Sequence, residues 1–284
     1  MFVPRKILED RLKQFLADDI GLGDVTAQVT IPTNLIVRAI VLAKEAGTVA
    51  GIEEAVIFAE SLNLRIERKV TDGSVIENKQ VLLEISGDAQ TILSIERTLL
   101  NLLSRMSGIA TATRTLTQKL QEEGFKTRIA ATRKSAPGLL YFDKKAVMIG
   151  GGDPHRLHLD DLVLIKDNHI AIIGSVEEAV KKAKTNVSFT KKIEVEVTDS
   201  NNALKAAKAG ADIIMLDNFS PEEAKASADM LSKMGFGDVQ LEISGNITSE
   251  NLMEYAKAEV DIISIGALTH SVRALDISLE ITKE

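Results

Sequence analysis

Apolar positions recur at two different spacings along this chain, and the change from one to the other divides it. Ile7, Leu8, Leu12, Phe15 and Leu16 fall at helical intervals, so the sequence predicts an amphipathic helix over residues 5–19. Strand-like stretches follow at Ile36–Leu42, Leu64–Val70 and Val81–Ile85, with turn residues such as Thr71-Asp72-Gly73 between them. A helix is expected from Ile52 to Ser61. Asp88 can cap a longer one whose buried stripe is Ile92, Ile95, Leu99, Leu103 and Met106, with a break expected at Ser107-Gly108.

Beyond Gly108 strands and helices alternate. Apolar runs end in polar or small residues at Arg128–Arg133, Leu162–Asp167, Lys192–Val197, Ala211–Asn218, Gln240–Asn246 and Asp261–Gly266. Helical patterns fill the gaps at Val176–Ala183, Asn201–Ala209, Pro221–Met234 and Ser249–Ala256. From Lys166 to Glu196, Asp217, Ser244 and Gly266 the steps are 30, 21, 27 and 22 residues, the length of βα units. The fold class is therefore α/β: a smaller N-terminal α/β domain over 1–108 and a parallel α/β barrel over 109–269, TIM-like and not necessarily complete. Residues 275–281 alternate with period two, so 270–284 is expected to return to the first domain's sheet as a strand.

Composition narrows the chemistry. The chain has 284 residues, 45% hydrophobic, and no apolar stretch of 18 residues, so no membrane span is expected. Its start lacks a signal-like apolar region, which places the expected location in the cytoplasm. With no cysteine, disulfides, thiol nucleophiles and cysteine-ligated metals are ruled out. The net charge is −7, yet residues 128–169 hold seven Lys/Arg against five Asp/Glu, a local balance of +2. A positive pocket on an acidic protein suits a small anion, whereas nucleic acid would demand a broad basic face.

In barrels of this kind functional residues gather at the C-terminal strand ends. Arg133, Lys134, Arg156 and Lys166 lie at or beside such ends or a glycine-rich loop, and they are the candidate anion grips. Glu196 and Asp217 end successive strands; together they could hold Mg²⁺ or grip ribose hydroxyls. The competing readings are a solvated edge-strand face for Glu196 and a helix N-cap for Asp217. Ser244-Gly245-Asn246 and Gly266-Ala267 close the last two strands, where small residues let backbone N–H groups approach a phosphate. His155-x-x-His158 lacks the glutamate and helix of a zinc motif, and no nucleophile elbow is present. The residues alone point to a barrel enzyme acting on a phosphorylated, carboxylate-bearing small molecule with Mg²⁺.

The ordered set of short motifs resembles the quinolinate phosphoribosyltransferases, the decarboxylating nicotinate-nucleotide pyrophosphorylases of NAD biosynthesis. It includes Gly23-Asp24-Val25-Thr26, Glu96-Arg97-Thr98, Ser107-Gly108-Ile109-Ala110-Thr111 and Thr132-Arg133-Lys134 with Pro137-Gly138. It continues through Gly150-Gly151-Gly152, His155-Arg156, Leu164–His169, Glu194–Val197, Leu216-Asp217-Asn218 and Gly266–Ser271. The resemblance implies an N-terminal α/β sandwich, a barrel and a homodimer with shared active sites, which could assemble further into a hexamer. It implies quinolinate and phosphoribosyl pyrophosphate as substrates. Arg133, His155, Arg156 and Lys166 would clasp the two carboxylates of quinolinate, with Arg97 reaching in from the partner subunit. Lys134 would sit near the phosphates, and Glu196 and Asp217 on the ribose hydroxyls and Mg²⁺-pyrophosphate. Ser244, Gly245, Asn246, Gly266, Ala267 and His270 would face the 5′-phosphate. The chain departs from the family pattern at Ala131, Leu140 and Pro154. The alternatives are a phosphoribosyltransferase for nicotinate or another base, and a non-catalytic phosphoribosyl-pyrophosphate-binding protein.

Overall fold

A computed structural model describes residues 3–282. The chain forms two compact units. The first comprises residues up to Ala112, Met148–Gly150 and the chain from Val272 onward; the second comprises Thr113–Val147 and Gly151–Ser271.

In the first unit β1 (Ile36–Ala43), β2 (Gly47–Thr48), β3 (Arg65–Arg68), β4 (Val75–Ile76) and β5 (Val81–Asp88) alternate with the helices Arg5–Ile20, Val25–Thr30 and Ile52–Glu60. β1, β5 and β3 pair antiparallel in one sheet. The C-terminal strand Ile277–Thr282 pairs antiparallel with the free edge of β1, setting Val41 opposite Leu279. Its two-residue alternation thus finds a half-buried sheet edge.

The helix that follows β5 corrects the expected break at Gly108. It is continuous from Ala89 to Glu122. A β-carbon on Gly108 would lie 2.1 Å from the Arg273 carbonyl oxygen and 3.1 Å from the Ala274 α-carbon. The glycine is there so that the segment before the C-terminal strand can cross the helix closely, a packing reason that looks like a helix stop in sequence.

The second unit is built on β6 (Arg128–Ala130), β7 (Val163–Ile165), β8 (Ile193–Val197), β9 (Ile213–Asp217), β10 (Gln240–Ser244) and β11 (Ile262–Ser264). All neighbours are parallel, in the order β6-β11-β10-β9-β8-β7. The first strand pairs with the last, as in a barrel. The seam between β6 and β7 stays open, and there Ala130 forms a single parallel bridge with Asp153. Four strands are interior to the sheet, so Val195, Ile214, Leu216 and Ile243 bury completely or nearly so. The helices Val176–Asn186, Ser200–Ala209 and Pro221–Lys233 cover the outer face with an alanine-rich stripe that includes Ala203, Ala206 and Ala224. Each has a side-chain cap, from Ser175, Asp199 and Ser220 respectively.

Two further differences from the sequence reading lie near the strand ends. The helix expected from Ser249 begins at Leu252, because Thr248 donates its N–H to Asn251 Oδ1 and ties residues 248–251 into a turn. Leu140–Ile149 is a helix the sequence reading did not separate from its loops, with Phe142, Asp143, Lys144, Lys145, Ala146 and Val147 buried. Its buried charges hide the apolar periodicity. Among the described residues no helix is long and apolar enough to cross a membrane.

Candidate functional site

The C-terminal ends of the parallel strands converge on one cavity of ≈ 540 Å³, within the range of small-molecule sites. Ala131–Lys134 reach it after β6, Lys166 after β7, and Glu196 from β8. Asp217 closes β9, Ser244-Gly245-Asn246 follow β10, and Ser264 closes β11. His155 and Arg156 enter from the loop beyond the Asp153 bridge.

β8 lies between β7 and β9, so the edge-strand reading of Glu196 fails. Lys166 Nζ donates to Glu196 Oε2 at 2.6 Å across the parallel pair. The N-cap reading of Asp217 fails too, because Ser220 caps the next helix in a reciprocal box with Glu223. Asp217 instead accepts from Asn218 Nδ2 at 2.9 Å. Burial, and then the charge of nearby Glu196, raise its pKa above the ordinary aspartate value.

Arg133 is exposed and Arg156 half-buried, and among the described residues neither makes an ion pair. Burial and the like charge of Arg133 both disfavour the charged state of Arg156. Two guanidiniums that line one cavity and make no ion pair among the described residues suit an external anion, and their fork geometry suits carboxylates.

The turn after β10 needs its glycine. Gly245 has φ +105°, and a β-carbon there would sit 2.2 Å from Asn218 Oδ1 and 3.0 Å from the Asn218 nitrogen. At Gly266 a β-carbon would press on the His270 ring at 3.1 Å and on Lys134 Cδ at 3.2 Å. Thr269 Oγ1 donates to the Lys134 carbonyl at 2.8 Å, fixing that loop to the last strand's turn. Gly266, Ala267 and His270 are therefore beside Lys134 without themselves lining the cavity. Arg97 belongs to the first unit, exposed on the helix Ala89–Glu122.

Sequence reasoning gave no role to several buried charged residues at and behind the cavity wall. Glu194 and Glu242 are fully buried, one from β8 and one from β10. They face His155 Nε2 at 3.4 Å and 3.0 Å. Ser264 Oγ donates to Glu242 Oε1 at 2.5 Å. Lys144, also fully buried, donates to the Pro154 carbonyl. Burial lowers its pKa to about 8, with Asp153 opposing and Arg133 assisting. The signals were a lone glutamate in the apolar run Leu241–Ile243, and the adjacent Lys144-Lys145 set between Phe142 and Ala146-Val147. The departures from the family pattern are accommodated locally: buried Ala131 donates its N–H to Asp153, and Leu140 opens the buried helix.

Comparison with known proteins agrees with this geometry. Residues 24–107 match the family described as "Quinolinate phosphoribosyl transferase, N-terminal domain", and 109–280 match its C-terminal domain. A "Probable nicotinate-nucleotide pyrophosphorylase [carboxylating]" of Methanocaldococcus jannaschii is 48% identical over 276 residues, covering 96% of both chains. The rat protein named "Nicotinate-nucleotide pyrophosphorylase [carboxylating]" is 39% identical over 247 residues, 87% of this chain and 82% of that one. The solved nicotinate-nucleotide pyrophosphorylase of Francisella tularensis superposes with a TM-score of 0.90 at 36% identity, covering 99% of this chain and 98% of that one. With both domains matched in order and close relatives spanning its length, the chain belongs to the quinolinate phosphoribosyltransferase family.

Proposed function

We infer that this protein transfers the phosphoribosyl group of phosphoribosyl pyrophosphate to quinolinate, giving nicotinate mononucleotide, pyrophosphate and CO₂. The observation that carries the reading is the pair of guanidiniums, Arg133 and Arg156, with no ion pair among the described residues, beside Lys134 and Lys166 at one end of the barrel. Quinolinate presents two adjacent carboxylates, and a base with one carboxylate would not need both.

The bond from the anomeric carbon to pyrophosphate breaks as the pyridine nitrogen attacks that carbon. The 2-carboxylate then leaves as CO₂ and a proton takes its place. The chain's share is to hold both substrates in line and to balance charge. Arg133 and Arg156 orient the carboxylates, and Lys134 faces the phosphates. Lys166 is braced by Glu196 on the same cavity wall. Glu196 and Asp217 line the cavity from the paired strands β8 and β9 and offer the hard carboxylate oxygens that suit a divalent cation. They would hold Mg²⁺ that arrives with phosphoribosyl pyrophosphate. That ion would neutralise charge developing on the departing pyrophosphate. A homodimer sharing Arg97 completes the reading and rests on the family resemblance.

Calorimetric titration tests it. Quinolinate is expected to bind and Arg156→Ala to remove that binding while the melting temperature holds. Normal quinolinate affinity in the variant would refute the assignment.

A further inference from the structure

At the cavity wall, where His155 and Glu242 line it, a group of side chains has no place in the chemistry described so far. The carboxylates of Glu194 and Glu242 are fully buried, and Glu194 finds no hydrogen-bond donor for either oxygen beyond the ring 3.4 Å away. Burying carboxylates is costly, and well-packed apolar side chains would stabilise a barrel interior better. Their presence calls for a role in that site.

His155 supplies the connection. Its backbone adopts φ +51°, a left-handed conformation that strains a non-glycine residue. Three contacts hold it there. Asp153 Oδ1 accepts the His155 N–H at 2.7 Å, Lys144 donates to the Pro154 carbonyl, and the Arg156 N–H donates to His155 Nδ1 at 2.7 Å. The ring thus grips the backbone of the residue that presents its guanidinium to substrate. Only the far side of the ring, Nε2, remains to be fixed, and Glu242 and Glu194 fix it. Both ring nitrogens face protein, so His155 acts on substrate through Arg156.

We propose that Glu242 and Glu194 are positioning residues of the quinolinate pocket, anchoring the His155 ring so that its Nδ1 holds the Arg156 backbone in its binding conformation. This rests on the quinolinate reading given above. The protons follow from the geometry. Burial opposes charge on the ring, and the facing Glu194 and Glu242 outweigh it, a pull that would raise its pKa to about 10. The Arg156 amide, however, already points a hydrogen at Nδ1 and leaves no space for a second. The ring is therefore the neutral Nε2–H tautomer. Glu242 accepts from Ser264 Oγ and from Nε2–H, and Glu194 lies 3.4 Å from the same ring nitrogen.

Steady-state kinetics and nitrogen-15 spectra of the imidazole rings test this together. Glu242→Ala should raise KM for quinolinate at least tenfold and leave KM for phosphoribosyl pyrophosphate within twofold. Glu242→Gln, whose amide oxygen still accepts from Nε2–H, should recover most of the loss. Labelled wild-type protein, with only four histidines, should show one ring with a proton fixed on Nε2 and a bare Nδ1 at neutral pH. An unchanged KM for quinolinate in a folded Glu242→Ala protein, or equal rises for both substrates, would overturn the proposal. So would a protonated Nδ1 on His155 in the wild type, a result that needs no variant to fold and no turnover. Wild-type protein that shows the Nε2–H ring but fails to turn over quinolinate would instead count against the functional reading alone.

Discussion

Replacing Gly245 by alanine perturbs the phosphate-side turn at a point where the structure permits no side chain. Two costs add. Holding an L-residue at φ +105° strains the backbone by about 1–3 kcal/mol. The new β-carbon would also stand 2.2 Å from Asn218 Oδ1, and it cannot be relieved by side-chain motion alone because the Asn218 nitrogen is 3.0 Å away. Asn218 is tied three ways: its N–H to the Ser244 carbonyl at 2.8 Å, its Nδ2 to Asp217 at 2.9 Å, and its Oδ1 to Asn246 at 3.2 Å. Displacing it forfeits at least one of these, about 1 kcal/mol. The total, about 2–4 kcal/mol, is less than a domain's typical stability of about 5–15 kcal/mol, so the chain should still fold with a lowered melting temperature. At 1.4 kcal/mol per decade it corresponds to roughly 30- to 1,000-fold in kcat/KM for phosphoribosyl pyrophosphate, since Asp217 moves with Asn218. Kinetics at saturating quinolinate, with a thermal melt alongside, would read this directly. An unchanged KM for phosphoribosyl pyrophosphate at an unchanged melting temperature would refute the reasoning.

Gly108→Ala sets helix propensity against packing: alanine ordinarily gains about 0.5–1 kcal/mol in a helix, but here overpacking against Arg273 should cost about 1–3 kcal/mol. Urea denaturation should therefore show net destabilisation, and a stabilised variant would contradict the close crossing. The pH dependence follows from Asp217. Its raised pKa means that activity requiring the carboxylate falls away, as pH drops, sooner than for an ordinary aspartate; Lys166 partly offsets the rise. In Lys166→Ala the acid limb of residual kcat/KM should move to higher pH, and a limb that stays put or moves lower would contradict the coupling.

Much of the barrel was legible because strand ends are punctuated by chemistry. A βα unit needs a polar or small residue where its strand meets the loop, and those same residues line the cavity. Lys166, Glu196, Asp217 and Ser244 could be found in this way. The Leu140–Ile149 helix and Glu242 could not, because periodicity counts charges as exposed, and Asp143, Lys144 and Glu242 are buried through partners distant in sequence. Gly108 misled for the complementary reason: a glycine demanded by a tertiary crossing carries the same letter as one that ends a helix.

The most direct test of the account is turnover with labelled substrate. Purified protein with Mg²⁺ and phosphoribosyl pyrophosphate is given quinolinate carrying carbon-13 in its 2-carboxylate, or nicotinate in a parallel reaction, and the products are weighed by mass spectrometry. The account predicts unlabelled nicotinate mononucleotide from quinolinate alone, with one labelled CO₂ per nucleotide. Nucleotide formed from nicotinate, or quinolinate left unconsumed, would contradict it.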